Sequence, residues 1–133
     1  MKGLAASKKI FVAKSKIPDS GRGVFAKVNI KKGGLIEKCP IVEIPEQDTA
    51  LLNESILVTY FFYFGTKKEK AAVALGFGSI YNHTRTPNAV YKIKEKEGVI
   101  DFIALKDIKK DDEITVDYNY ANPEDKNPLW FEA

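Results

Sequence analysis

Three stretches place polar side chains where a plain strand-and-turn protein does not need them. Asp19-Ser20-Gly21-Arg22-Gly23-Val24-Phe25-Ala26 sets two glycines around one arginine before an apolar strand, and such a pair lets main-chain amides and carbonyls approach a ligand closely. Ala74 to Asn88 drives an Asn82-His83 pair out of an apolar, glycine-rich run and closes on Pro87-Asn88; polar groups in that setting need assigned partners. Asp112 to Tyr120 ends a strand on Tyr118 and Tyr120, two apart and so on one face of any strand they continue. Taken singly, each has an ordinary reading: a tight turn, an Asn-capped loop with a satisfied core histidine, a core strand ending in surface tyrosines.

Other chemistries are closed off by composition. The chain has one cysteine, Cys39, and one histidine, His83, so neither a disulfide nor a Cys/His zinc site can be assembled within it. A thiol–imidazole pair is formally open, but Cys39 sits in Leu35-Ile36-Glu37-Lys38-Cys39-Pro40, which reads as a core strand and makes it a buried structural thiol.

The elements that must position these residues are short β-prone runs cut by turn residues. Lys9 to Ala13, Gly23 to Val28, Leu35 to Cys39 and Ile41 to Ile44 have strand length, with breaks at Pro18 to Gly21, Lys31 to Gly34 and Pro40. Asp48 to Leu57 reads as a short helix and the aromatic run Tyr60 to Phe64 as a buried strand. Ala89 to Lys94 and Val99 to Ala104 flank Glu95-Lys96-Glu97-Gly98 as a hairpin, Glu113 to Val116 is a last strand, and 121–133 reads as an irregular segment pinned by Trp130 and Phe131. No long amphipathic stripe supports a parallel α/β fold. One internal echo stands out: Ala26 to Ile36 and Ala104 to Ile114 share an Asn/Asp-Ile-Lys-Lys turn feeding a strand, which reads as a reused turn.

At 133 residues, 44 % hydrophobic and 29 % charged, the chain reads as a single folded domain over 1–133. It contains no 18-residue apolar stretch, so no membrane span is expected, and the start lacks the apolar core of a secretory signal, which predicts an intracellular protein. A net charge of +3 is too mild to argue for nucleic acid. The charge is unevenly spread. Lys2, Lys8, Lys9, Lys14 and Lys16 lie in a basic start, whereas Asp111, Asp112, Glu113, Asp117, Glu124, Asp125 and Glu132 make an acidic end able to attract a basic peptide.

Order and spacing bind the polar stretches together. Gly21-Arg22-Gly23, Tyr63-Phe64-Gly65, Asn82-His83-x-x-x-Pro87-Asn88 and Glu113-Ile114-Thr115-Val116-Asp117-Tyr118 together resemble the four signatures of the SET-domain protein lysine methyltransferases, in the family's order and over about residues 9–120. The chain is most similar to the free-standing short SET domains of viruses and bacteria, which share the Ala74-Leu75-Gly76-Phe77-Gly78 lead-in. The resemblance implies a mainly β, β-clip fold of several short curved sheets, with a C-terminal pseudoknot in which the last segment threads under the Asn82-His83 stretch.

The resemblance also implies roles. Tyr118 would be the catalytic tyrosine. Gly21, Arg22, Gly23, Asn82 and His83 would contact S-adenosyl-L-methionine, released as S-adenosyl-L-homocysteine, and Tyr63 would sit between cofactor and lysine channel. Tyr91, Val116 and Tyr120 would line that channel with Tyr63. No metal is implied. Departures from the family pattern are plain: Asn82-His83-Thr84-Arg85 lacks the usual cysteine and the tail lacks Cys-x-Cys, so Trp130 and Phe131, a second copy of the chain or the substrate would have to close the cofactor pocket. Val116, two residues before Tyr118, leaves room where many members have an aromatic residue; with the Tyr91 hydroxyl, the expectation is mono- or dimethylation.

Such residues suit methyl transfer to an amine, an in-line displacement that mainly requires alignment of nitrogen, methyl carbon and sulfur. Free lysine has a pKa of about 10.4, so a fraction on the order of 10⁻³ is uncharged near pH 7; a poorly hydrated aromatic channel beside a cationic sulfonium lowers that pKa. The sequence therefore predicts a protein-lysine N-methyltransferase acting on a basic segment such as a histone or histone-like tail. It would work in the cytoplasm of a bacterium or in a host nucleus if viral or a secreted effector. Two further readings stand beside it: a catalytically silent SET fold binding a basic partner through its acidic end, and a basic β-domain binding nucleic acid through Lys2 to Lys16.

Overall fold

The β-branched and aromatic runs read from the sequence pair into two sheets. The computed structural model describes residues 4–59, 61–64 and 70–118. Its strands are β1 (Ile10–Lys14), β2 (Arg22–Ala26), β3 (Leu35–Ile44), β4 (Phe61–Phe64), β5 (Lys70–Ala74), β6 (Asn82–His83), β7 (Ala89–Lys94), β8 (Val99–Ala104) and β9 (Glu113–Val116). One sheet runs in the order β1-β2-β9-β6 and the other β4-β5-β3-β8-β7. The expected helix is present as α1 (Thr49–Asn53), flanked by 3-10 turns at Glu46–Asp48 and Ile56–Thr59. Among the described residues no helix is long and apolar enough to cross a membrane.

A shared core joins the sheets. Val24, Ile114 and Val116 from the first pack in one cluster with Ile36, Cys39, Ile100 and Phe102 from the second. Strand β9 alternates, burying Ile114 and Val116 while Glu113 and Thr115 face partly outward, the period-2 pattern of a strand with one apolar face. Central strand β8 is buried at almost every position: Ile100, Phe102 and Ala104 face the core, while Asp101 on the other face lies under Lys38 and Lys94.

Two strand readings are corrected by the structure. Pro40 does not cut β3. The strand pairs with β8 over Leu35 to Pro40 and with β5 from Ile41 to Ile44, and the Pro40 carbonyl accepts the Leu75 amide at 2.9 Å. The missing proline N–H therefore falls at the last position of the β5 ladder, where it costs one terminal bond rather than the strand. Strand β5 itself, Lys70-Ala71-Ala72-Val73-Ala74, is absent from the sequence reading, since alanines carry no strand signal; it forms because β3 and β4 flank it on both edges.

The echoed turns turn out to pair with each other. Ile30 and Ile108 exchange both backbone hydrogen bonds, each 2.8 Å, and the Lys32 amide donates to Asp107 Oδ1 (2.9 Å) as the Lys110 amide donates to Asn29 Oδ1 (2.8 Å). Gly33 and Asp111, matched positions of the two copies, both take left-handed backbone, at φ 83° and 72°. This reciprocal pairing fixes where β9 begins.

Strand β9 then lies between β2, with which it is antiparallel, and the two-residue β6, with which it is parallel. Strand β9 is thus inserted beside the Asn82-His83 segment; the segment expected to thread under that stretch, after residue 118, lies outside the described residues. Residues 119–133, including Tyr120, Trp130 and Phe131, lie outside the described residues.

Candidate functional site

Glu113 is the hub around which the polar motifs meet. Its carboxylate accepts the Ser15 hydroxyl at 2.8 and 3.0 Å, the Lys16 amide at 2.9 Å and Asn82 Nδ2 at 3.0 Å. Asn82 Nδ2 also donates to the Arg22 carbonyl at 2.9 Å, so β2, β6 and β9 are tied through one amide. Gly23 passes directly over this junction. A Cβ there would collide with Glu113 Oε2 and lie 3.1 Å from Asn82 Nδ2, which is why only glycine fits.

Asn88 secures β9 from its other edge. Its Nδ2 donates to the Glu113 carbonyl and its Oδ1 accepts the Thr115 amide, both at 2.9 Å. A side chain thereby completes the ladder that β6 is too short to make.

Beyond β9, Tyr118 is held at three points. Its hydroxyl donates to the Tyr81 carbonyl at 2.6 Å, its amide donates to His83 Nδ1 at 3.1 Å, and its carbonyl accepts the Tyr91 hydroxyl at 3.1 Å. Because Nδ1 accepts, a neutral His83 carries its proton on Nε2. Asp117 Oδ1, 3.7 Å from Nδ1, becomes an ion-pair partner only if the ring is protonated. The His83 and Tyr118 rings lie 5.2 Å apart.

The candidates named from sequence separate into groups. Gly21, Arg22, Gly23, Asn82, His83 and Tyr118 come together around β9. Gly21 adopts φ 65° and faces open space, with nothing within 4 Å of the place a Cβ would take, while the Arg22 carbonyl beside it is fixed by Asn82. That open cradle of main chain fits a cofactor held largely through backbone groups. The Asn82 amide nitrogen is already engaged within the protein.

The channel candidates are placed deeper. Tyr91 is buried with its ring on Phe62, centroids 4.9 Å apart, and burial followed by the nearby Asp117 carboxylate pushes its phenol pKa up. Val116 is fully buried in the core. Tyr63 pairs with Ala71 through the β4 backbone; its side chain, like Tyr120 and Trp130, lies outside the described residues. The acidic end also divides. Glu113 is turned into the hydrogen-bonded hub and Asp117 is buried, so neither belongs to a solvated face; Asp111 and Asp112 are exposed, and Glu124, Asp125 and Glu132 lie outside the described residues.

Sequence reasoning missed Glu37 and Tyr81. Tyr81 is buried, stacks on Phe102 at 4.2 Å and 16°, and donates its hydroxyl to Glu37 Oε1 at 2.8 Å. Glu37 Oε2 accepts the Phe77 amide at 3.0 Å. Burial, then the Glu37 carboxylate, raise both the Tyr81 phenol and the neighbouring Cys39 thiol. The available signal was a glutamate set between Ile36 and Cys39 in a strand read as core.

Comparison with known proteins agrees with this geometry. A model of the SET domain family matches residues 21–119. A Schizosaccharomyces pombe histone-lysine N-methyltransferase, H3 lysine-37 specific, is 30 % identical over 112 residues, covering 84 % of this chain and 71 % of the relative. A solved Plasmodium falciparum protein assigned as a histone methyltransferase superposes with a TM-score of 0.67 at 36 % identity, covering 93 % of this chain and 97 % of that one. A Chaetomium thermophilum Polycomb repressive complex 2 structure, autoinhibited and bound to S-adenosylmethionine, superposes with a TM-score of 0.71 at 25 % identity, covering 90 % of this chain but 16 % of that one. Motif order, the insertion of β9 beside Asn82-His83 and these matches make the protein a member of the SET-domain family, the family of lysine methyltransferases that its four motifs resemble.

Proposed function

We propose that the protein is an S-adenosylmethionine-dependent protein-lysine N-methyltransferase acting on a basic protein segment, a histone tail first among them. The observation that carries this reading is the fixed Tyr118, whose hydroxyl donates to the Tyr81 carbonyl at the point where the glycine turn, Asn82-His83 and β9 converge. The specificity of the fission-yeast relative for histone H3 supports the substrate class.

When bound, the cofactor supplies a methyl group on a sulfonium sulfur. The Gly21 to Gly23 main chain and the Asn82-His83 segment bind and orient it. Tyr118 contributes an oxygen whose own proton is spent on Tyr81, so toward a substrate that oxygen can only accept. It would accept an N–H of the lysine amine, turn the lone pair along the line of displacement and stabilise nearby positive charge. Tyr63, Tyr120 and Trp130 are the proposed aromatic walls and lid; Tyr91 acts from behind by holding the Tyr118 carbonyl. An intracellular place of action goes with a histone substrate.

Purified protein incubated with methyl-labelled S-adenosylmethionine and a panel of histones tests the reading. Label on a histone lysine, lost with Tyr118→Phe, is expected. Saturable cofactor binding without transfer to any basic protein would favour the catalytically silent alternative.

A further inference from the structure

Glu37 is a buried carboxylate that the proposed chemistry does not use. Burying such a group is costly unless its oxygens find donors, and each oxygen here has one. Oε1 takes the Tyr81 hydroxyl at 2.8 Å and Oε2 takes the Phe77 amide at 3.0 Å. The loop over it is shaped to the carboxylate: Gly76, at φ 63°, would bring a Cβ within 2.6 Å of Glu37 Oε2, and a Cβ on Gly78 would come within 2.9 Å of Cys39 Sγ. For packing alone, leucine at 37 with phenylalanine at 81 would fill similar volume without burying a charge.

What the arrangement fixes is residue 81. Its ring is clamped against Phe102, its hydroxyl is held by Glu37, and its main-chain carbonyl receives the Tyr118 hydroxyl at 2.6 Å. Glu37 itself is fixed on β3 opposite Phe102 on β8, so carboxylate and stacking partner sit on adjacent strands of one sheet. Two adjacent strands thus set the place of the Tyr81 carbonyl.

We propose that Glu37 is a positioning residue for Tyr118: through the Tyr81 side chain it fixes the carbonyl that holds the Tyr118 hydroxyl, and so the direction in which the Tyr118 oxygen can accept. This rests on the reading of Tyr118 as the group that meets the substrate amine. Shifts of an ångström in such a group lower turnover without altering how ligands bind elsewhere.

The test uses Tyr81→Phe, Glu37→Gln and Glu37→Ala, each read in two ways. Independently of turnover, the ¹³Cζ resonance of Tyr118, assigned by its loss in Tyr118→Phe, is expected to move in Tyr81→Phe and Glu37→Ala. In Glu37→Gln, which keeps an acceptor for the Tyr81 hydroxyl, it should lie nearer the wild-type position. In methyl transfer measured well below each variant's unfolding temperature, Tyr81→Phe should lower kcat about tenfold with the cofactor KM unchanged, and should lower it no further in a Tyr118→Phe background. A Tyr118 resonance that stays in place in folded Tyr81→Phe overturns the proposal. Equal kcat losses with and without the Tyr118 hydroxyl, the mark of a merely structural role, overturn it as well. If the wild type transfers no methyl group, the enzyme reading fails and the resonance alone decides whether Glu37 positions Tyr118. If Glu37→Ala does not fold, Tyr81→Phe, which removes a single oxygen, carries the test.

Discussion

Asn88 grips the main chain at Thr115, its Oδ1 accepting the Thr115 amide at 2.9 Å while its Nδ2 donates to the Glu113 carbonyl. Both β9 groups lie on the edge turned away from β2, which takes the Asp112 carbonyl through the Ala26 amide. Asn88→Ala leaves a donor and an acceptor without their partner, and a stability loss of about 2–3 kcal/mol is expected in urea denaturation. A loss below about 0.5 kcal/mol would show that β6 alone holds β9.

Gly23 crosses the Asn82–Glu113 hydrogen bond so closely that even a methyl group must displace one partner. Glu113 cannot simply swing away, because Ser15 and the Lys16 amide also hold it. Gly23→Ala is expected to destabilise the fold by about 1–3 kcal/mol, the range for overpacking, and to weaken cofactor binding measured by calorimetry. Unchanged values for both would mean that the junction is looser than its hydrogen bonds indicate.

Asp101 carries a pH signature. Burial raises its pKa, but hydrogen bonds from Lys38 at 2.7 Å and Lys94 at 2.9 Å more than offset this and leave it lowered. A carboxylate with a lowered folded-state pKa adds stability above its unfolded value of about 3.9, and that stability drains as pH falls through the folded value. Wild type should therefore lose more stability than Asp101→Asn between pH 5 and the acid limit of folding. Parallel stability–pH curves would rule this contribution out.

At Asp111 the left-handed backbone matches that of Gly33 in the echoed turn. Replacing Asp111 with glycine should leave thermal stability within about 1 kcal/mol of wild type, since relief of backbone strain and added chain entropy nearly cancel. Asp111→Val should cost about 1–2 kcal/mol, because a β-branched residue resists this conformation. Tolerance of valine would show that the turn can relax.

These contrasts mark what the sequence could reveal. Motif order located Gly21 to Gly23, Asn82, His83 and Tyr118, and β9 was legible down to its ends because Ile114 and Val116 alternate with polar residues. The echo of Asn29-Ile30-Lys31-Lys32 in Asp107-Ile108-Lys109-Lys110 was visible, but its pairing was not, since similarity along a chain does not say that two copies touch. Strand β5 was hidden by its alanines. Pro40 misled because its effect depends on which edge lacks the donor. Tyr81 escaped notice because its function runs through its main-chain carbonyl, an atom every residue possesses.

The most direct test of the account is the turnover of wild type and Tyr118→Phe on histone H3 with methyl-labelled S-adenosylmethionine, both proteins first shown to be folded by thermal unfolding. Label on lysine is expected with wild type, and a fall in kcat of about 100-fold or more when the Tyr118 hydroxyl is removed, the scale of one lost electrostatic contact at a reacting centre. Equal turnover by the two proteins would contradict it.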